Sequence, residues 1–185
     1  MPALRSYSAT PKTLNIVFDT LCECCRNVQS IDLHPSHCMI VSFMRKIIQH
    51  FLSIESLKVQ LLPSPTCSEN LQNDGLRHIG RYSQPEHLDL SVCMDLTDGS
   101  VEYVGAGCHN LKKRDISAYK MTDKATEYIL KCQNLQVLQL NYNDLTGSNF
   151  HLISTHLQYL NEFCLNNCKY GATYIYVNYA EKWCS

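Results

Sequence analysis

The sequence has no excess of charge of either sign and no apolar run long enough to cross a membrane. Sixteen basic and seventeen acidic residues leave a net charge of −1 at neutral pH. Because no general electrostatic field attracts nucleic acid or an anionic membrane, we expect neither as a partner. Residues 1–12 also lack the charged segment and apolar stretch that make up a secretory signal.

Eleven cysteines are many for a chain of 185 residues, but the number is odd. Together with the missing secretory signal, this favours free thiols in a reducing compartment. We therefore expect a cytoplasmic protein, with the nucleus as the alternative location. The 45% hydrophobic and 18% charged fractions are typical of globular chains, so one folded domain is expected.

An internal repeat organises the sequence, because the pattern apolar-x-x-apolar-x-apolar recurs six times. The copies start at Val28, Ile54, Pro85, Leu111, Leu135 and Leu160, at steps of 26, 31, 26, 24 and 25 residues. Most of these steps match leucine-rich repeats, whose period is roughly 20–29 residues. The residue three before each start is apolar or cysteine, and the residue after each triplet is polar. Alternation of this kind predicts strands with one buried face.

Between the triplets the apolar spacing changes to threes and fours, which indicates amphipathic helices. The clearest stretch contains Ile40, Phe43, Met44, Ile47, Ile48 and Phe51, and shorter ones contain Val101, Val104 and Cys108, then Ala125, Ile129 and Cys132. Thr97 and Thr122 are placed to cap two of these helices. The sequence thus predicts an α/β leucine-rich-repeat solenoid, a horseshoe with parallel strands on the concave face and helices on the convex face.

Cysteine-containing segments recur where each predicted helix leads into a strand. They are Gly107-Cys108-His109-Asn110-Leu111 and Lys131-Cys132-Gln133-Asn134-Leu135, with Leu96-Thr97-Asp98 and Met121-Thr122-Asp123 ahead of them and Cys25-Arg26-Asn27-Val28 as a shorter copy. These segments resemble the cysteine-containing leucine-rich-repeat subfamily, over about residues 14–168. In F-box/leucine-rich-repeat proteins such repeats bind substrates for an SCF-type cullin–RING ubiquitin ligase. The resemblance implies a protein-binding role in ubiquitin-dependent protein degradation.

An F-box is missing from this sequence, because the helix predicted from Leu14, Val17, Leu21 and Cys25 already belongs to a repeat. We expect residues 1–13 to form a flexible segment with no strand. Residues 14–185 should form a leucine-rich-repeat domain of about six repeats, with an inserted loop near residues 62–75. The missing F-box indicates a fragment, an isoform or a receptor without its adaptor-binding part. A non-enzymatic scaffold or assembly factor is the alternative function.

Cysteines and histidines near the N-terminus offer a competing interpretation as a zinc site. They are Cys22, Cys24, Cys25, His34, His37 and Cys38. Their spacing lacks paired C-x-x-C motifs, so buried free cysteine is the favoured interpretation. No signature of a cysteine nucleophile is present, and Gly105-Ala106-Gly107 is expected to end a helix rather than to bind phosphate. We expect no enzyme activity, no catalytic residue, no cofactor and no metal.

Candidate partner-binding residues occupy the outward positions of the predicted strands. The central column contains Asp32, Lys58, Asp89, Asp115, Gln139 and Cys164, with Lys112 and Lys113 beside it and Asn141 just beyond it. Three of these six column residues are acidic, which predicts a partner segment of basic character. The basic run at 112–114 has two interpretations, a site for an acidic or phosphorylated ligand and a solvated patch. The aromatic residues of 170–183 likewise predict either a partner surface or a cap on the end of the core.

Overall fold

Seven short parallel strands form one sheet whose spatial order is the order of the chain. The computed structural model describes residues 5–9, 11–33, 45–47, 49–51, 53–60, 76–81, 85–91, 93, 96–117 and 120–168. The strands are β1 (Ser6–Ala9), β2 (Ser30–Leu33), β3 (Ser56–Val59), β4 (His87–Asp89), β5 (Lys113–Asp115), β6 (Val137–Gln139) and β7 (Glu162–Cys164). Each of the strands β2 to β7 contains the middle residue of one predicted triplet, and these middle residues are paired between neighbouring strands. The predicted strand positions and their register are therefore confirmed.

Helices connect the strands, as parallel neighbours require. They are α1 (Pro11–Cys24), α2 (Asp98–Gly107), α3 (Asp123–Ile129) and α4 (Phe150–His156). Residues 45–47, 49–50 and 76–81 are also helical. The result is an α/β fold in which strand and helix repeat along the chain. No helix in these described stretches is long and apolar enough to span a membrane.

The core is a single cluster between the inward strand residues and the buried faces of the helices. One inward row contains Ile31, Leu57, Leu88, Arg114, Leu138 and Phe163, which are register partners on neighbouring strands. All six are at most 3% exposed. The predicted helix residues Val101, Val104, Ala125 and Ile129 are buried opposite them, so these two helices are confirmed. Each fully buried aliphatic side chain contributes about 1.5–3 kcal/mol to folding.

The predicted helix boundaries at Thr97 and Thr122 are confirmed. Thr122 Oγ1 accepts a hydrogen bond from the backbone N–H of Lys124 at 3.3 Å. The backbone N–H of Thr97 donates to Ser100 Oγ at 3.1 Å, which satisfies a group at the start of α2. At the other end α2 stops at Gly107, as predicted. A Cβ at Gly105 would lie 2.3 Å from the Tyr128 carbonyl oxygen, so glycine allows α2 and α3 to pack closely.

The N-terminal part of the chain differs from the expectation. The sequence predicted no strand within residues 1–13, but Ser6–Ala9 forms β1 and pairs in parallel with β2. The repeat pattern also fits Leu4, Tyr7 and Ala9, and Tyr7 and Ala9 are register partners of Ile31 and Leu33 on β2. The serines between them make the segment polar, which is why the sequence predicted it to be flexible. The buried face of α1 also differs from the predicted one. Val17, which was predicted to face the core, is 39% exposed, whereas Cys22, which was not, is 4% exposed. The loop predicted near residues 62–75 lies outside the described residues.

Candidate functional site

The outward residues of the strands form two parallel rows, which together we call the strand face. The first-position row contains Ser6, Ser30, Ser56, His87, Lys113, Val137 and Glu162. On β2 to β7 the third-position row contains Asp32, Lys58, Asp89, Asp115, Gln139 and Cys164. The structure therefore brings all six residues of the predicted central column into one register row. From β2 onward these residues are half-buried or exposed, whereas their strand neighbours in the core are buried.

Charges on the third-position row are unevenly paired. Lys58 Nζ lies 3.7 Å from Asp89 Oδ2 on the next strand. Asp115, the register partner of Asp89, forms no ion pair within the described stretches; its Oδ1 accepts hydrogen bonds from the N–H and hydroxyl of Ser117. Burial raises the pKa of Asp115, the Ser117 hydroxyl opposes this, and the charge of Asp89 raises it further. The middle of the row thus holds one carboxylate with a basic partner and one without.

Lys112 and Lys113 have different environments, although they are neighbours in sequence. Lys112 lies just before β5, outside the strand face, and its Nζ is 2.8 Å from Glu86 Oε1. This hydrogen bond lowers the pKa of Glu86, which keeps the carboxylate ionised. Lys113 is exposed in the first-position row. Arg114, the third residue of the basic run, points into the core and is 1% exposed, so the run does not form one basic surface patch.

Asn141 belongs to a polar ladder at the carboxyl ends of the strands. Its Nδ2 donates to Ser117 Oγ at 3.3 Å, and its Oδ1 accepts from the backbone N–H of Asn166 at 2.8 Å. Just after β4, the backbone N–H of Ser91 donates to Asp89 Oδ1, as the backbone N–H of Ser117 donates to Asp115 Oδ1 after β5. The predicted binding residue Asn141 therefore also holds three neighbouring repeats in register.

A shallow cavity of about 200 Å³ opens on the strand face across β3 to β6. Its wall includes Ser56, His87, Asp89, Asp115, Val137 and Gln139. Four predicted binding residues, Asp89, Lys113, Asp115 and Gln139, thus share one depression, which Arg114 also lines. Asp32 and Cys164 lie in the same row but do not line it. Small-molecule pockets occupy about 300–1,000 Å³, so this space is better matched to one side chain of a larger partner.

The sequence reasoning missed a structural column that follows the strands. Asn143 is 2% exposed, and its Nδ2 lies 3.1 Å from the Ile116 carbonyl oxygen, 3.0 Å from that of Leu140 and 3.2 Å from that of Asn141. Cys168 Sγ donates to the Leu140 carbonyl oxygen, and Cys93 Sγ to that of Val59. These three residues each lie three positions after the last apolar residue of a triplet. That spacing was visible in the sequence and would have identified the column.

The described cysteines are free thiols, and no three His, Cys, Asp or Glu residues in the described stretches form a metal-binding group. Cys22 is buried and Cys24 is exposed. Burial, together with the charge of Asp19, raises the pKa of Cys22 to about 11, so the thiol form is favoured. His34, His37 and Cys38 of the competing zinc interpretation lie outside the described residues, as do the aromatic residues of 170–183.

No family model matches this sequence, and no curated protein matches it. Among solved structures, a structural-genomics target protein from Bacteroides fragilis is similar to this chain, with a TM-score of 0.50 and 15% sequence identity. The match covers 82% of this chain and 44% of that protein. At this identity the similarity concerns the fold alone, an α/β arrangement with a parallel sheet.

Proposed function

We propose that this chain is a leucine-rich-repeat protein whose strand face binds a partner protein. The observation that carries the proposal is the in-register set of exposed and half-buried side chains across the six consecutive strands β2 to β7. A parallel row of this length presents side chains from many repeats to one ligand, which is how solenoids bind proteins. The strand face would be the concave side of a horseshoe and the helices its convex side.

Two further features support assignment to the leucine-rich repeats. The pattern L-x-x-L-x-L-x-x-N/C-x-L describes these repeats, and Leu135, Leu138, Leu140, Asn143 and Leu145 fit it at every position. Cys108 and Cys132, the cysteines of two of these segments, are buried, and Cys132 Sγ donates to the Cys108 carbonyl oxygen at 3.5 Å. This second column links neighbouring repeats and supports the cysteine-containing subfamily.

In this proposal the bound protein is a substrate of an SCF-type ubiquitin ligase, and the chain acts in the cytoplasm without enzymatic activity of its own. The alternative is a scaffold or assembly factor that uses the same face. Affinity purification of the natural full-length protein separates the two. Adaptor and cullin subunits should accompany a ligase receptor, and their consistent absence would reject the ubiquitin role in favour of the scaffold.

Charge reversal tests the assignment of the strand face. The double substitution Asp89→Lys and Asp115→Lys places two cations where the partner meets carboxylates, so we expect capture of the purified partner to weaken at least tenfold. The matched control is Glu102→Lys and Glu127→Lys, which makes the same charge change at exposed positions on α2 and α3. If the control abolished capture and the strand-face variant left it unchanged, the partner would bind the helices.

A further inference from the structure

The two rows of the strand face carry opposite charge where they border the cavity. His87 and Lys113 are neighbours in the first-position row, Asp89 and Asp115 are neighbours in the third-position row, and all four line the cavity. Arg114 lines it too, but its side chain is 1% exposed and belongs to the core. The cavity therefore has a basic side toward the amino ends of the strands and an acidic side toward their carboxyl ends.

Each side of the cavity has one charged group without an ionic partner. Lys113 is exposed and forms no ion pair within the described stretches, and Asp115 on the same strand forms none there either. Asp89 differs, because it lies 3.7 Å from Lys58. A ligand of one charge would be attracted by one side of the cavity and repelled by the other. Electrostatic complementarity therefore favours a ligand that carries both charges.

The shape of the cavity indicates how such a ligand lies. Its lining comes from the four strands β3 to β6, which at about 4.8 Å spacing extend over roughly 14 Å, whereas the two rows are only about 6.8 Å apart. The long dimension of the cavity thus crosses the strands. In an extended segment that lies flat along it, successive side chains point to opposite sides, so residues adjacent in sequence face opposite rows.

We propose that the partner binds through an extended segment that crosses the strands and presents an acidic and a basic residue next to each other in sequence. The acidic side chain lies between His87 and Lys113, and the basic side chain faces Asp89 and Asp115. The next side chain on the acidic side reaches β6, where Val137 offers an apolar contact. This inference rests on the proposed function, because it assigns the chemistry of the partner to the same strand face.

Selection from a random displayed-peptide library on the immobilised full chain tests the proposal. Enriched peptides should share an acidic residue directly beside a basic one. Each is then synthesised, and its dissociation constant is measured by fluorescence anisotropy. Lys113→Gln and Asp115→Asn should both weaken binding, by about three- to tenfold each. For a purely basic ligand Lys113→Gln would instead strengthen binding, and for a purely acidic ligand Asp115→Asn would do so.

Double-mutant cycles assign each charge of the peptide to one side of the cavity. When the acidic residue of the peptide is replaced by glutamine, Lys113→Gln should lose its effect, whereas Asp115→Asn should keep its own. Replacement of the basic residue should have the reverse result, because only groups in contact are coupled. Coupling of both peptide residues to Lys113 alone, or to Asp115 alone, would contradict the proposed arrangement.

Three further variants make each outcome interpretable. Glu102→Gln and Lys124→Gln each remove one charge from exposed positions on α2 and α3, and both should change binding less than twofold. Gln139→Trp fills the cavity and should block any peptide that uses this part of the strand face, whatever its charge. Equal thermal unfolding of all variants shows that they fold.

The results then separate the two proposals. Peptides that Gln139→Trp blocks, but that bind no more weakly to Lys113→Gln or to Asp115→Asn, would overturn the paired-charge segment and leave the strand face as the binding site. Peptides insensitive to Gln139→Trp would count against the proposed function itself. Failure to enrich any peptide would overturn the inference that a short extended segment is what this face recognises.

Discussion

At the scale of single residues, Arg114 is a buried cation that occupies a leucine position of the core. Its Nη1 donates to Cys132 Sγ at 3.8 Å, and its Nε and Nη2 have no hydrogen-bond partner in the described stretches. Burial lowers the pKa of Arg114, although the neighbouring thiols favour its charged form. The same burial raises the pKa of Cys108 to about 12, so this cysteine offers no thiolate to pair with the cation.

Replacing Arg114 should therefore stabilise the protein. Arg114→Met keeps a long, flexible side chain and removes an incompletely paired buried charge, so we expect the free energy of unfolding to rise by about 1–3 kcal/mol. Urea denaturation measures the change. The matched control is Leu138→Met at the equivalent position on β6, which should cost less than about 1.5 kcal/mol. A destabilised Arg114→Met variant would mean that the guanidinium has compensating partners in solution.

Asn143 is a second buried polar residue: its Nδ2 donates to three carbonyl oxygens, while its Oδ1 has no hydrogen-bond partner in the described stretches. Asn143→Ala removes this donor from all three oxygens, and only that of Leu140 keeps a second donor, the Cys168 thiol, so unfolding should become easier by about 2–3 kcal/mol. Asn143→Cys should recover part of the loss, since Cys168 binds a carbonyl oxygen from the equivalent position. Thermal unfolding of the three proteins gives the order. An Asn143→Cys variant no more stable than Asn143→Ala would show that the thiol is not a substitute here.

At the scale of elements, carboxylates at the helix starts hold adjacent repeats together. Asp98 accepts hydrogen bonds from the N–H and hydroxyl of Thr122, the residue that caps the next helix. One repeat later Asp123 accepts from the N–H and hydroxyl of Thr146, from Gly147 N–H and from the hydroxyl of Ser148. Repeats are therefore joined along the helix starts as well as through the sheet.

Acid should weaken the connection at Asp123. Burial raises the pKa of Asp123, but the hydrogen bonds from Thr146, Ser148 and Gly147 outweigh it and leave the pKa below its ordinary value of 3.8. Because the folded-state pKa is the lower one, the carboxylate stabilises the fold above pH 3.8, and this contribution is lost as the pH falls through the lowered pKa.

Asp123→Ala should lower stability by about 1–2 kcal/mol at neutral pH and make the acid-induced decline shallower. The control is Asp144→Ala, an exposed aspartate for which we expect little change. Unfolding followed at several pH values compares the three proteins. Parallel stability curves for the wild type and Asp123→Ala would contradict the assignment.

The sequence predicted most of the elements because the repeat supplies several copies of the same evidence. Strands β2 to β7 and the caps at Thr97 and Thr122 follow from apolar spacing, which depends on local residue pattern alone. The strand β1 was harder to predict, because its alternation consists only of Tyr7 and Ala9 in a polar segment, although Leu4, Tyr7 and Ala9 fit the repeat pattern. At the candidate site the register row was predictable, but the cavity and the pairing of Lys58 with Asp89 depend on side-chain conformations across strands.

At the scale of the whole molecule, the sheet is a one-dimensional series in which each strand contacts only its neighbours. The stability of such a series is close to a sum of repeat and interface contributions, so units with two neighbours resist local opening better than units with one. Within the described stretches, β1 pairs only with β2 and β7 only with β6, whereas β5 pairs on both sides. Opening should therefore begin at the two ends of the sheet.

Amide hydrogen exchange of the isolated chain, followed by mass spectrometry, tests this expectation. Peptides covering β4 to β6 should exchange slowest, and those covering β1 and β7 fastest. Arg114→Met should slow exchange in β4 and β6 as well as in β5, because a stabilised repeat strengthens both of its interfaces. Equal protection of β1 and β5 would show that the N-terminal strand is held by more than its pairing with β2. A change confined to β5 in Arg114→Met would show that stability is not shared between neighbouring repeats.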